Sequence, residues 1–148
     1  MLEAKTLVKI CGITSVEQAL EIAKLGVDAI GIISVKESPR YVSPENKKDI
    51  FRNLEKYFPS IKRVSVVKNM PIELILTNSF ELENVIQLHG DEDLSYCKKL
   101  RRKLPQIEIW KAFRIKRIED IQLIELYCDF IDAVLLDSWN ENTYGGSG

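Results

Sequence analysis

Little in this chain calls for a special environment. It has one histidine, three cysteines and no excess of either charge, with 21 Lys and Arg against 22 Asp and Glu and a net charge of -1. That balance offers no basic surface for nucleic acid and no attraction to an anionic membrane. No apolar run is long enough to span a bilayer, and no signal peptide opens the chain. A cytoplasmic, reducing location is therefore the expectation. Cys11, Cys97 and Cys128 are odd in number and lack metal-ligand spacing, which argues against a disulfide framework. No residue constellation for a metal or organic cofactor is present, so none is expected. No linker or low-complexity stretch divides the 148 residues, and the expectation is a single domain over 1–148.

What is present is alternation. Short runs rich in Val and Ile are followed by amphipathic stretches at helical spacing. The pattern predicts strands near Leu7–Cys11, Asp28–Ser34, Ile61–Val67, Asn84–His89, Ile107–Phe113 and Ile131–Asp137. It predicts helices near Val16–Leu25, Pro44–Phe58, Ile72–Ser79, Asp91–Leu104 and Ile118–Tyr127. Thr14 or Ser15 can cap the first helix, with Glu17 and Gln18 close behind as in a capping box, and Ser43-Pro44 reads as a cap followed by a first helical residue. The basic run Lys98–Lys103 reads as a solvated helix face and C-terminus.

Six strands alternating with five helices predict a parallel sheet with right-handed crossovers. Both an open doubly wound sheet and a (β/α)8 TIM barrel fit. Polar residues at the ends of nearly every strand favour the barrel: Cys11, Ser34 with Arg40, Asn69, His89, Arg114 and Asp137. A full barrel needs about 200 residues or more, so the expectation is an α/β barrel truncated to about six strands and five helices. Strand edges left open would then invite self-association, and the inward strand faces, among them Val8 and Ile10, would lose cover.

Five segments carry a resemblance. They are Val8-Lys9-Ile10-Cys11-Gly12-Ile13-Thr14, Ser38-Pro39-Arg40-Tyr41-Val42-Ser43-Pro44, Gln87-Leu88-His89-Gly90-Asp91-Glu92, Leu135-Leu136-Asp137 and Tyr144-Gly145-Gly146-Ser147-Gly148. In this order, each at the right βα position, they resemble the phosphoribosylanthranilate isomerase family of tryptophan biosynthesis. The resemblance implies a (β/α)8 barrel. It implies an Amadori rearrangement of N-(5-phosphoribosyl)anthranilate to 1-(2-carboxyphenylamino)-1-deoxyribulose 5-phosphate, an aldose–ketose isomerisation. It assigns Cys11 as base and Asp137 as acid. In the family the substrate phosphate is held by loops after strands seven and eight, which this sequence does not contain.

The residues are consistent with those roles. Lys9 precedes Cys11 by two positions, so both side chains share one face of a strand, and a nearby cation favours the thiolate. Asp137 ends the apolar run Ala133-Val134-Leu135-Leu136, where desolvation favours the protonated carboxyl. The alternatives are a small buried cysteine and a helix-capping aspartate. Arg40 offers a planar fork for a carboxylate, such as the one on the anthranilate ring. Gln87 and His89 point the same way and either line a pocket or are satisfied core groups. Arg114 either binds substrate or is solvated. Gly145 and Gly146 can present backbone N–H groups to a ligand, and Trp139 follows Asp137 closely enough to cover the site. Two rival readings remain: a catalytically silent partial barrel serving as a folding or assembly unit, and a non-catalytic sugar-phosphate binder.

Overall fold

The computed structural model describes residues 6–77 and 82–138. Strand and helix alternate along them: β1 (Lys9–Cys11), α1 (Val16–Lys24), β2 (Ala29–Ile33), α2 (Pro44–Tyr57), β3 (Lys62–Val67), α3 (Ile72–Thr77), β4 (Val85–Leu88), α4 (Leu94–Lys103), β5 (Glu108–Ile115), α5 (Glu119–Ile124) and β6 (Ala133–Ser138). A 3₁₀ turn over Glu125–Tyr127 continues α5. Every predicted element is present, with ends shifted by up to three residues. The described residues form two compact units, one from 6–66 with 82–84 and the other from 67–77 with 85–138.

In the first unit β1, β2 and β3 pair in parallel, with Cys11 beside Gly31 and Gly31 beside Val64. The alternation of strand side chains sends Ile30 and Ile32 to one face. There they meet Ala19 and Ala23 of α1 and Ile50, Phe51 and Leu54 of α2 in a buried cluster. Both helices begin on a side-chain cap. Ser15 Oγ accepts from Gln18 N, while Gln18 Oε1 accepts from Thr14 N. Ser43 Oγ accepts from Asn46 N ahead of Pro44. Ile10, in register with Ile30, lies on this helix-bearing face, Val8 just before β1 has the same parity, and both are exposed. The expectation that they face inward is corrected by parity: with Lys9 and Cys11 on one face, Val8 and Ile10 take the other.

The second unit pairs β4, β5 and β6 in parallel, with Gln87 beside Trp110 and Arg114 beside Asp137. Phe113 turns to the helix-bearing face and meets Tyr127 edge-on at 5.0 Å. Val134 and Leu136 share that face but are exposed, Leu136 at 65%. Helix α4 starts three residues later than its expected start at Asp91, capped by Asp93 Oδ1 accepting from Tyr96 N. The delay has a cause: Glu92 is turned into the protein by bonds described below.

Candidate active site

In the first unit the end of β1 gathers three of the expected residues. Cys11 Sγ lies 2.7 Å, and Lys9 Nζ 3.2 Å, from the point a Cβ on Gly31 would occupy. Thiol and ammonium therefore stand over the same backbone position of β2. A glycine inside an apolar strand marks such a close approach, and Ala29-Ile30-Gly31-Ile32-Ile33 carried that signal unread. After Cys11 the chain turns at Gly12, with φ +85°, a conformation side chains rarely adopt. Arg40 Nη1 comes within 2.6 Å of where a Gly12 Cβ would be. Arg40 is held in its turn by Arg40 N donating to Ser38 Oγ, 3.2 Å.

Ser34 belongs elsewhere. Its hydroxyl lies on the helix-bearing face, 3.2 Å from Ser65 Oγ, which in turn receives Lys47 Nζ. Lys47 pairs with Glu83 at 2.7 Å, both buried. The sequence reading missed this cluster, although Lys47 sits three, four and seven residues before Ile50, Phe51 and Leu54, on the same helical stripe.

In the second unit Gln87, His89, Arg114 and Asp137 fall on one face of β4–β6. Gln87 Nε2 lies 3.3 Å from His89 Nδ1, and His89 Nε2 lies 3.7 Å from Asp137 Oδ2. The Asp137 side chain keeps 25% exposure, less desolvated than its apolar neighbours in sequence suggest. Arg114 pairs with Asp91.

Within this unit a buried network that sequence reasoning did not find ties Asn69 and the Gly90–Glu92 segment after β4 to Lys111 of β5. Lys111 Nζ donates to Gly90 O (2.8 Å), Ala112 O (3.0 Å) and Glu92 Oε2 (3.2 Å). Glu92 accepts from Asn69 N (2.7 Å) and Gly90 N (3.0 Å), and Asn69 Oδ1 accepts from Asp91 N (2.7 Å). All three ammonium donors of Lys111 are thus used, as a buried lysine requires. The signal was Lys111 itself, a charge inside the apolar strand Ile109–Phe113. Beneath it, burial pushes the Cys97 thiol up to about 11, so it stays protonated at neutral pH and is a packing residue.

Trp139, Gly145 and Gly146 lie outside the described residues. Among the described residues no helix is long and apolar enough to cross a membrane, and no cluster of three His, Cys, Asp or Glu side chains could hold a metal ion.

With this geometry in place, comparison with known proteins points one way. A family profile described as N-(5'phosphoribosyl)anthranilate (PRA) isomerase matches residues 8–148. The isomerase of that name from Synechococcus elongatus is 40% identical over 141 residues, covering 95% of this chain and 65% of its own length. The one from Trichodesmium erythraeum is 43% identical over 145 residues, covering 95% and 61%. The chain thus spans less than two thirds of the length of these relatives. Among solved structures, phosphoribosyl anthranilate isomerase from Thermotoga maritima superimposes with a TM-score of 0.82 at 33% identity, covering 97% of this chain and 66% of that one. Another such isomerase, solved with reduced 1-(o-carboxyphenylamino)-1-deoxyribulose 5-phosphate, gives a TM-score of 0.79 at 34% identity, covering 92% and 66%. The fold is accordingly a partial (β/α)8 barrel, with six strands and five α-helices described.

Proposed function

This chain belongs to the phosphoribosylanthranilate isomerase family, and from that membership we propose that it carries the proton-transfer residues of an isomerase acting on N-(5-phosphoribosyl)anthranilate in tryptophan biosynthesis. The observation that carries the reading is the family match over residues 8–148. It is supported by the solved relative holding a reduced form of the expected product.

The roles follow from chemistry. Asp137 gives a proton to the ring oxygen of the sugar as its bond to C1′ breaks, leaving an iminium at C1′. Cys11, as thiolate, takes the proton from C2′, and the freed electron pair forms the C1′–C2′ double bond and neutralises the nitrogen. The resulting enol becomes a ketone at C2′ as C1′ gains a proton. Lys9, over Gly31 with the thiol, places positive charge where the thiolate forms. Gln87, His89 and Arg114 line the face that bears Asp137. Gly145 and Gly146 contribute backbone donors to the ligand.

We take residues 1–148 to form one partial-barrel domain working in the cytoplasm on a phosphorylated small molecule, without metal, cofactor, nucleic acid or membrane. A tryptophan-requiring bacterium that lacks this isomerase should grow without tryptophan when given residues 1–148 joined to the part of the Synechococcus elongatus relative outside the matched region. Soluble protein without growth would contradict the reading.

Arg40 is the expected partner of the anthranilate carboxylate. An ammonium cannot replace a two-pronged guanidinium contact, so Arg40→Lys should cost about 1.5–3 kcal/mol of binding. The loss should appear in KM with kcat little changed. An unchanged KM would place Arg40 outside the site.

The 148 residues alone should also associate with themselves. Ile10, Val134 and Leu136 are exposed apolar strand residues, with exposed Val8 just before β1, and such strands invite pairing with another chain. Light scattering should report particles larger than a monomer, and a monodisperse monomer would refute this.

A further inference from the structure

We infer that His89 is a positioning residue for Asp137, carrying its ring proton on Nε2 and aiming it at the Asp137 carboxyl, and that Gln87 fixes this tautomer. The functional meaning of the inference rests on Asp137 being the acid of the proposed reaction.

The hydrogen-bond partners assign the proton. Gln87 is 3% exposed, and its amide nitrogen lies 3.3 Å from His89 Nδ1. An amide nitrogen only donates, so Nδ1 accepts, and a neutral imidazole then holds its proton on Nε2. That nitrogen lies 3.7 Å from Asp137 Oδ2. The opposite tautomer would set the Nε2 lone pair against carboxylate lone pairs. It would also require the Gln87 amide to turn, leaving its NH₂ where Oε1 now lies. Among the described residues Oε1 is buried with no hydrogen-bond partner, and an under-satisfied buried carbonyl is tolerated more often than an orphaned buried donor.

The arrangement acts on the proton transfer. At 3.7 Å the Nε2–H and the carboxyl are just beyond hydrogen-bond reach. A small rotation of Asp137, which is a quarter exposed, brings them together. As Asp137 releases its proton, a carboxylate forms beside an N–H already pointing at it. A preorganised donor of this kind stabilises charge where it develops. Arg114, the residue in register with Asp137, is paired with Asp91, and His89, just after β4, is the neutral donor directed at the acid.

The chain contains a single histidine, so nitrogen-15 spectra of the labelled 148-residue chain report this ring alone. At pH 8, where an imidazole is ordinarily neutral, the expected result is a protonated Nε2 and an unprotonated Nδ1. Asp137→Asn should shift the Nε2 resonance. Gln87→Met keeps the length of the side chain without its amide, and should draw the two nitrogen shifts together as the tautomers exchange. Gln87→Glu offers only acceptors and should move a proton onto Nδ1. A ring protonated on Nδ1 in the unaltered chain would overturn the inference, as would an Nε2 resonance indifferent to Asp137→Asn. The spectra need no turnover, so they stand apart from the proposed reaction. If Asp137→Asn abolishes activity while the ring proves to be protonated on Nδ1, the positioning role fails and the isomerase reading survives.

Discussion

In residues 1–148 completed by the rest of a relative's barrel, replacing Cys11 by Ala, or Asp137 by Asn, is expected to lower turnover of phosphoribosylanthranilate by about 100- to 10,000-fold each, the usual contribution of a positioned acid or base. Neither change should alter binding much, because each removes a group that works mainly in the transition state. The surroundings of the two residues make the point specific. The thiol and the Lys9 ammonium share the space over Gly31, and Cys11→Ala removes the nucleus of that pair without touching Arg40. Asp137→Asn keeps the shape beside His89 Nε2 and removes the transferable proton. Rates measured through loss of anthranilate fluorescence would decide. Near-normal turnover in either variant would mean that its role has been misassigned.

The second large effect concerns stability. Lys111 and Glu92 form an almost fully buried pair, their side chains 4% and 1% exposed. Removing one partner from such a pair strands the other charge and typically costs about 3–5 kcal/mol, against a whole-domain stability of about 5–15 kcal/mol. Lys111→Met should therefore lower Tm by roughly 6–20 °C, at about 2–4 °C per kcal/mol for a chain near this size. The double change Lys111→Met with Glu92→Leu should recover part of that loss, because an apolar pair has no charge to desolvate. Loss of the network also frees Gly90 and Asn69, so the segment that carries His89 and Asp91 should lose order. A Tm in Lys111→Met within two or three degrees of the unaltered chain would show that the network contributes little.

The architecture was legible because it rests on local periodicity. The alternation of Val/Ile runs with amphipathic stretches placed every strand and helix, and Ser15, Ser43 and Pro44 act at the helix starts as their chemistry predicts. The start of α4 was missed because Glu92 could extend a helix by propensity but is spent on Asn69, Gly90 and Lys111. Residues at strand ends were easily found, since polar groups there stand out against apolar runs. The supporting layer was harder. Gly31 matters for what it lacks, and Lys111, Lys47 and Glu83 are charges whose partners come from distant segments. Lys47 and Glu83, for example, are 36 positions apart and meet at 2.7 Å. No window along the chain displays such a pairing. The apolar neighbours of Asp137 in sequence predict desolvation, but strand parity turns Val134 and Leu136 to the opposite face and leaves the side chain beside His89 and Arg114.

The central claim is that this chain carries the proton-transfer chemistry of a phosphoribosylanthranilate isomerase. Its most direct test is the fluorescence of the anthranilate substrate followed in a protein that joins residues 1–148 to the part of the Synechococcus elongatus relative outside the matched region. Steady loss of substrate fluorescence is expected with the joined protein, and almost none when Cys11 is replaced by Ala. A folded joined protein that leaves the substrate untouched would contradict it, and so would a Cys11→Ala form that turns over as fast as the unaltered one.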